Sequence, residues 1–181
     1  MINKHIKKIA TAALAVACTA GLMLGLSGCS QGSSGGKDKV TLLVSTLNNP
    51  FFVDLRDGAQ EEAKKLGVDL QVSDAQNDSA TQQNQAQNAQ SQGVRAVIIN
   101  PVDSDAAAPA VATLRGSSIP VVSVDRSVTG EEVNAHIASD NVAGGAQAAR
   151  KLAEGMGKKG KVIILQGTPG AASTRDRGKG F

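Results

Sequence analysis

VTLLVSTLNNPFF, residues 40–52, reads as a strand, then a polar turn, then the mouth of a helix. Val40, Leu42, Leu43 and Val44 make a mostly apolar run, the pattern of a strand covered on both faces of a parallel sheet. The run breaks at Ser45-Thr46, and Asn48-Asn49-Pro50 sets a turn. Pro50 lacks an amide hydrogen and has a fixed φ, which suits a first helical turn, and Asn49 is placed to cap it. Phe51 and Phe52 are two of the three Phe in a chain without Trp or Tyr. In an open α/β sheet, ligands bind outside the carboxyl ends of the strands. Two aromatics at such an end, among small polar residues, suggest a wall for an organic ligand. Packing of both rings between helix and sheet is the alternative.

The same unit recurs downstream. Leu55, Ala59, Ala63 and Leu66 have helical spacing and predict a helix over 53–66, stopped by Gly67. Gly58 inside it suggests a close approach to a strand. A strand over 68–72 and a turn over 74–78 lead to a polar stretch, SATQQNQAQNAQSQ, over 79–92. Gln and Ala favour helix, but only Ala80, Ala86 and Ala89 offer anything to bury, so this helix is expected to dock loosely or to be a low-complexity run. Strands follow at 94–99 and 119–124, with an alanine-rich helix over 106–114 between them. Residues 135–138 form an edge strand or a crossing segment. Ser139-Asp140-Asn141 caps a helix over 142–156, with Ala146, Ala149, Leu152 and Ala153 facing inward. GMGKKGK, 155–161, has no Ser or Thr after its Lys and no strand before it, so it reads as a helix stop and not as a phosphate loop. KVIIL, 161–165, reads as another buried strand. A Gly/Pro/Ser/Thr loop covers 166–174, and Arg175-Asp176-Arg177 opens a further helix.

The fold class is therefore α/β, a parallel sheet with helices on both faces. Three of its strands finish in polar groups, at Asn49, at Asn100 and at Asp125-Arg126. In a parallel sheet these tips share one edge, and that convergence marks the candidate site. Taken singly, Asp125 is also a possible helix cap and Arg126 a possible surface residue. The pattern restarts near Asn141, and the last strand has barely begun its crossover helix. The chain is expected to be the N-terminal part of a longer, two-lobed protein.

The first 28 residues have a different character. Lys4, Lys7 and Lys8 precede the apolar run 9–26, and Leu26-Ser27-Gly28-Cys29 closes it. This is the layout of a secretory signal, and the Cys directly after small residues marks it as a lipoprotein signal, with Cys29 lipidated. Cys18 has too short an apolar run before it to compete. A retained transmembrane anchor is the alternative. Either places the body outside the cytoplasm, lipid-anchored to the cell membrane in the first case. SQGSSGGKDK, 30–39, is a flexible tether.

Of 19 basic and 16 acidic residues, three Lys and no acid lie in those 28 positions, which leaves the rest balanced. Nothing argues for a nucleic-acid partner. With Cys29 lipidated, neither a disulfide nor a thiol nucleophile is expected. No G-x-S-x-G elbow, glycine fingerprint or metal-ligand cluster occurs, and His136 is the only His beyond the signal. No catalytic residue, metal or cofactor is expected.

STLNNPFF, DGAQEEAKKLG, INPVDSDA, IPVVSVDR, HIASDN, LQGTPG and RDRGKGF occur in one order from Ser45 to Phe181. In this the chain resembles the ribose-type periplasmic sugar-binding family of bacterial ABC importers, which shares its fold with LacI-type repressors. A repressor would need a basic helix-turn-helix ahead of Val40, where the export signal stands. The resemblance implies a periplasmic-binding-protein-like fold with a signal over 1–28, a tether over 29–39, an incomplete first lobe over 40–139 and the start of the second over 140–181. It implies a substrate-binding lipoprotein that takes D-ribose or a related monosaccharide by hinge closure and delivers it to the transmembrane permease subunits. Asn49, Phe51, Phe52, Asn100, Asp125 and Arg126 would contact the sugar from the first lobe and Arg175 from the second. Ser139, Asp140 and Asn141 would lie at a hinge crossing. The alternatives are a receptor for a sugar or furanose-like signal in chemotaxis or quorum sensing, or an inactive truncated fragment. The chemistry agrees: aromatic rings cover C–H faces, Asp accepts, Arg donates through a fixed fork, and Asn does both.

Overall fold

The computed structural model describes residues 38–181. The signal, Cys29 and nearly all of the tether fall outside that range. Strand β1, Lys39–Val44, starts at the last residue of the expected tether, one residue before Val40, and is fully buried over its last residues. It pairs in parallel with β2, Asp69–Asp74, on one side and with β3, Ala96–Ile99, on the other. β4, Val121–Val124, adds to β3, and β5, Ala135–Ile137, adds to β4, again in parallel. The sheet order is β2-β1-β3-β4-β5.

Helix α1, Pro50–Leu66, joins β1 to β2, α2, Ser79–Ser91, joins β2 to β3, and α3, Ala108–Gly116, joins β3 to β4. The first crossover moves along the sheet one way and the next two the other way. Right-handed connections therefore put α1 on one face and α2 and α3 on the opposite face. The core fills the space under α2 and α3, where Leu43, Val97, Ile99 and Val121 of the sheet meet Ala86, Ala89, Val111 and Leu114.

The first helix starts as its sequence dictates. Asn49 is extended, its side-chain oxygen accepts from the Phe51 N–H, and Pro50 occupies the first turn. Gly67, at φ 71°, ends it in the left-handed conformation. Gly58 does not mark a close approach: it is exposed, and a Cβ there would meet nothing within 4 Å.

Helix α2 departs from expectation. It buries Gln82, Ala86 and Ala89, whereas Ala80 is exposed. Its docking is polar: Gln82 bonds the backbone at Asn100 and Val102, and Gln85 Nε2 donates to the Asp74 carbonyl at 2.8 Å. A glutamine amide carries donor and acceptor together, so it can replace an apolar anchor where backbone groups need partners.

After β5 the chain forms α4, Asn141–Gly155, and α5, Ala172–Gly180. They cross closely, because a Cβ on Gly145 would strike the Arg177 carbonyl and one on Gly180 the Val142 carbonyl. Gly145 is the buried residue of α4, while Leu152 and Ala153, expected to face inward, are exposed. The expected strand at Lys161–Leu165 is absent as well: Ile163 is 89% and Leu165 92% exposed, without ladder pairing. A strand is a property of a pair, and among the described residues none lies alongside this segment.

Candidate functional site

The tips of β1 and β4 open into a cleft of about 370 Å³ that is closed on its other side by α4, α5 and the loop between them. Asn49, Phe51, Phe52, Asp125 and Arg126 line it from the sheet, and Ser139, Asn141, Thr168, Ser173, Thr174 and Arg177 line it from the trailing segment. A larger groove of about 480 Å³ runs along α4 past Asp140, Gln147 and Glu154. No strand tip feeds that groove, and the cleft is the place where the chemically distinctive side chains meet.

The two Phe rings divide the roles left open by the sequence. Phe52 is 3% exposed and packs in the core, whereas Phe51 is 55% exposed at the mouth. Their rings meet edge to face, 5.2 Å between centroids. The Arg126 guanidinium lies over Phe52, 5.4 Å from the ring centre, in a cation–π arrangement. Asn49 keeps its helix-capping role and also lines the cleft.

Asp125 and Arg126 sit at a tight turn. Asp125 has φ 61°, and the Arg126 N–H donates to the Val124 carbonyl at 2.7 Å. Asp is among the few non-glycine residues that tolerate this left-handed conformation, and such outliers gather at functional sites. The Asp125 N–H donates to the Ile137 carbonyl, which ties the turn to β5. Arg126 is buried at 7% exposure. Its Nη1 donates to the carbonyls of Pro101 and Val102 at 2.9 and 3.0 Å, and its Nε stands 3.6 Å from Asp125 Oδ2 without a hydrogen-bond partner. Burial pushes the Arg126 guanidinium below its usual range, Asp125 opposes that shift, and nearby Arg177 reinforces it. A guanidinium remains protonated at neutral pH all the same.

Asn100 stands behind the cleft. It is fully buried, its Oδ1 accepts from the Ser45 N–H at 3.2 Å, and its Nδ2 donates to the Val124 carbonyl and to Asp125 Oδ2 at 3.2 and 3.3 Å. It connects the tips of β1, β3 and β4 and orients Asp125. Ser139 and Asn141 line the cleft, while Asp140 caps α4, accepting from the Ala143 N–H at 2.9 Å.

Arg175 does not reach the cleft. Its Nη1 donates to the Gly170 carbonyl at 2.9 Å, and it lies 3.8 Å from Asp105 at the outer rim. Arg177 takes the inward position and donates to Asn141 Oδ1 at 2.6 Å. Residues two apart on a helix point to different sides, and the second arginine of Arg175-Asp176-Arg177 is the one that faces the sheet tips. Gln82 was also missed, because a run of glutamines carries no local sign of which one is buried.

What meets here is a pair of aromatic rings, one carboxylate, two guanidiniums and several hydroxyl and amide groups. Such a set offers both donors and acceptors, with an aromatic surface beside them, to a small polar molecule. It has neither a paired nucleophile and base nor a cluster of metal ligands among the described residues.

The model of the periplasmic binding protein domain family matches residues 40–181, and the chain belongs to that family. Membership places it outside the cytoplasm. It is 46% identical over 177 residues to the ribose import binding protein RbsB of Escherichia coli, a match covering 98% of this chain and 57% of that protein. It is 48% identical over 151 residues to RbsB of Bacillus subtilis, covering 82% of this chain and 50% of that one. Among solved structures, a Caulobacter myo-inositol binding protein bound to myo-inositol superposes with TM-score 0.77 and 38% identity, over 81% of this chain and 50% of that one. A solute binding protein from Actinobacillus succinogenes with bound D-allose gives TM-score 0.72 and 34% identity, over 80% of this chain and 53% of its own. The chain thus spans about half the length of the relatives it matches.

Proposed function

We propose that the full-length protein is the substrate-binding component of an ABC importer and takes D-ribose or a closely related monosaccharide. The observation that carries this reading is the cleft itself: Asp125 and Arg126 stand side by side at a strand tip, with Phe51 at the mouth and Arg177 opposite. Buried, charge-assisted hydrogen bonds of this kind select a particular pattern of hydroxyls. Residues 40–139 form the first lobe and 140–181 begin the second, with the crossing at Ser139-Asp140-Asn141 as a hinge. Asn49, Phe51, Phe52, Asp125 and Arg126 contact the sugar, and Asn100 holds Asp125 for it. In this role Arg177 replaces Arg175. Closure on the sugar creates the surface that a membrane permease recognises, and lipid on Cys29 keeps the protein near that permease.

Calorimetry of the full-length protein with D-ribose, myo-inositol and D-allose tests the reading, with small-angle scattering to follow closure. Saturable ribose binding with a smaller radius of gyration is expected. Absence of binding by all three sugars would sink it.

A further inference from the structure

We propose that Gln82 of α2 is a positioning residue of the cleft, acting on Arg126 through the backbone of residues 100–102. The ligand named below rests on the sugar-binding reading; the geometry does not.

Gln82 is 3% exposed and does not line the cleft. Its Nε2 donates to the Asn100 carbonyl at 3.0 Å, and its Oε1 accepts from the Val102 N–H at 2.9 Å. The amide therefore pairs with this segment as a neighbouring strand would, just past the end of β3. Held in this way, the segment presents the Pro101 and Val102 carbonyls to Arg126 Nη1. A guanidinium is planar, so fixing Nη1 with two acceptors restricts the direction in which Nε and the other nitrogen point. That Nε is buried and unpartnered. An unmade hydrogen bond there is costly until a ligand oxygen supplies the acceptor.

An apolar side chain at position 82 would fill the space but leave the Asn100 carbonyl and the Val102 N–H buried without partners. The segment would turn to satisfy them, and the two carbonyls that hold Arg126 would turn with it. The polar character of α2, which reads in sequence as a defect in its apolar stripe, thereby acquires a role at the site.

The test uses the full-length protein and Gln82→Met, which keeps length and removes both bonds. D-ribose affinity is expected to fall tenfold or more. In an Arg126→Ala background the same substitution is expected to cost less than twofold, because the group it acts on is gone. Equal losses in the two backgrounds would mean a general structural role and overturn the proposal. A second readout needs no ligand: the Arg126 Nε–H signal in NMR should exchange with water at least tenfold faster in Gln82→Met, with the other arginine signals unchanged. An unaltered Arg126 signal overturns the proposal even if ribose does not bind, whereas absence of ribose binding by the unsubstituted protein defeats only the functional reading. Should Gln82→Met fail to fold, Gln82→Asn, too short to span both groups, takes its place in both measurements.

Discussion

Val94–Ile99 and Lys161–Leu165 are nearly the same kind of sequence, VRAVII against KVIIL, and they end up as opposites. Within the first stretch, Ala96–Ile99 lies between β1 and β4 and buries Val97 and Ile99 completely. The second runs without ladder pairing, its Ile and Leu exposed. The difference lies in the neighbours: β3 is supplied with partners by the crossovers through α2 and α3, and among the described residues no strand pairs with 161–165. Composition makes a strand possible, and pairing makes it real.

The largest test of that contrast is a matched pair of truncations. Ile99→Ala removes buried methyls from the centre of the core and should cost about 2–5 kcal/mol in urea unfolding. Ile163→Ala, at an exposed position, should stay within about 0.5 kcal/mol. A cost at Ile163 comparable with that at Ile99 would show that 161–165 is paired and buried in solution.

Glycines sharpen the same comparison. Gly145→Ala forces a methyl into the Arg177 carbonyl where α4 meets α5, and overpacking of this sort costs about 1–3 kcal/mol. Ligand affinity should fall with it, because the Arg177–Asn141 contact borders the cleft. Gly58→Ala, in open space within α1, should stabilise by about 0.5–1 kcal/mol. Thermal unfolding of the two variants would show opposite shifts; shifts of the same sign would contradict the close crossing of α4 and α5.

Ser104 joins the two regions. Fully buried, its Oγ accepts from the Ala172 N–H at 3.0 Å, its N–H donates to the Gly170 carbonyl at 3.0 Å, and its carbonyl accepts from the Thr129 N–H at 2.8 Å. Ser104→Ala leaves the Ala172 amide without its acceptor and should cost about 1–3 kcal/mol. Hydrogen exchange should rise at 170–174 and stay unchanged in β1 and β3. Faster exchange in β3 instead would mean that the two regions open as a single unit.

These elements also show which parts of the molecule were legible in its sequence. The β1 tip and the start of α1 were, because the apolar run, the Asn cap and Pro50 act within a few residues of each other. The convergence of polar strand tips was legible as well, since parallel strands fix which ends share an edge. Gln82 was not: a buried glutamine and an exposed one leave the same local pattern, and only the unpaired backbone after β3 tells them apart. Between Arg175 and Arg177 the choice depends on how α5 is rotated, which the Gly145 and Gly180 contacts with α4 decide. KVIIL has the local pattern of a strand, but pairing belongs to two segments and cannot be seen in the sequence of one.

The smallest effect concerns the cap that starts α2. Asp78 is extended, and its side chain accepts from the Thr81 N–H. That backbone hydrogen bond, followed by the Thr81 hydroxyl, lowers the Asp78 pKa from its ordinary value of 3.8. A group whose folded pKa is depressed contributes stability that is present above the unfolded value and is lost as pH falls through the folded one. Unfolding of the native protein should therefore become easier below about pH 4 partly through this residue. Asp78→Asn keeps an acceptor for the cap and cannot ionise, so its stability should be flatter with pH in that range. Asp78→Ala should instead be weaker at every pH, since it removes the cap altogether. Because α2 buries little apart from two alanines and Gln82, the variant also reports whether this helix depends on its polar contacts. Identical acid unfolding of Asp78→Asn and the native protein would show that the Asp78 charge contributes nothing measurable to the helix.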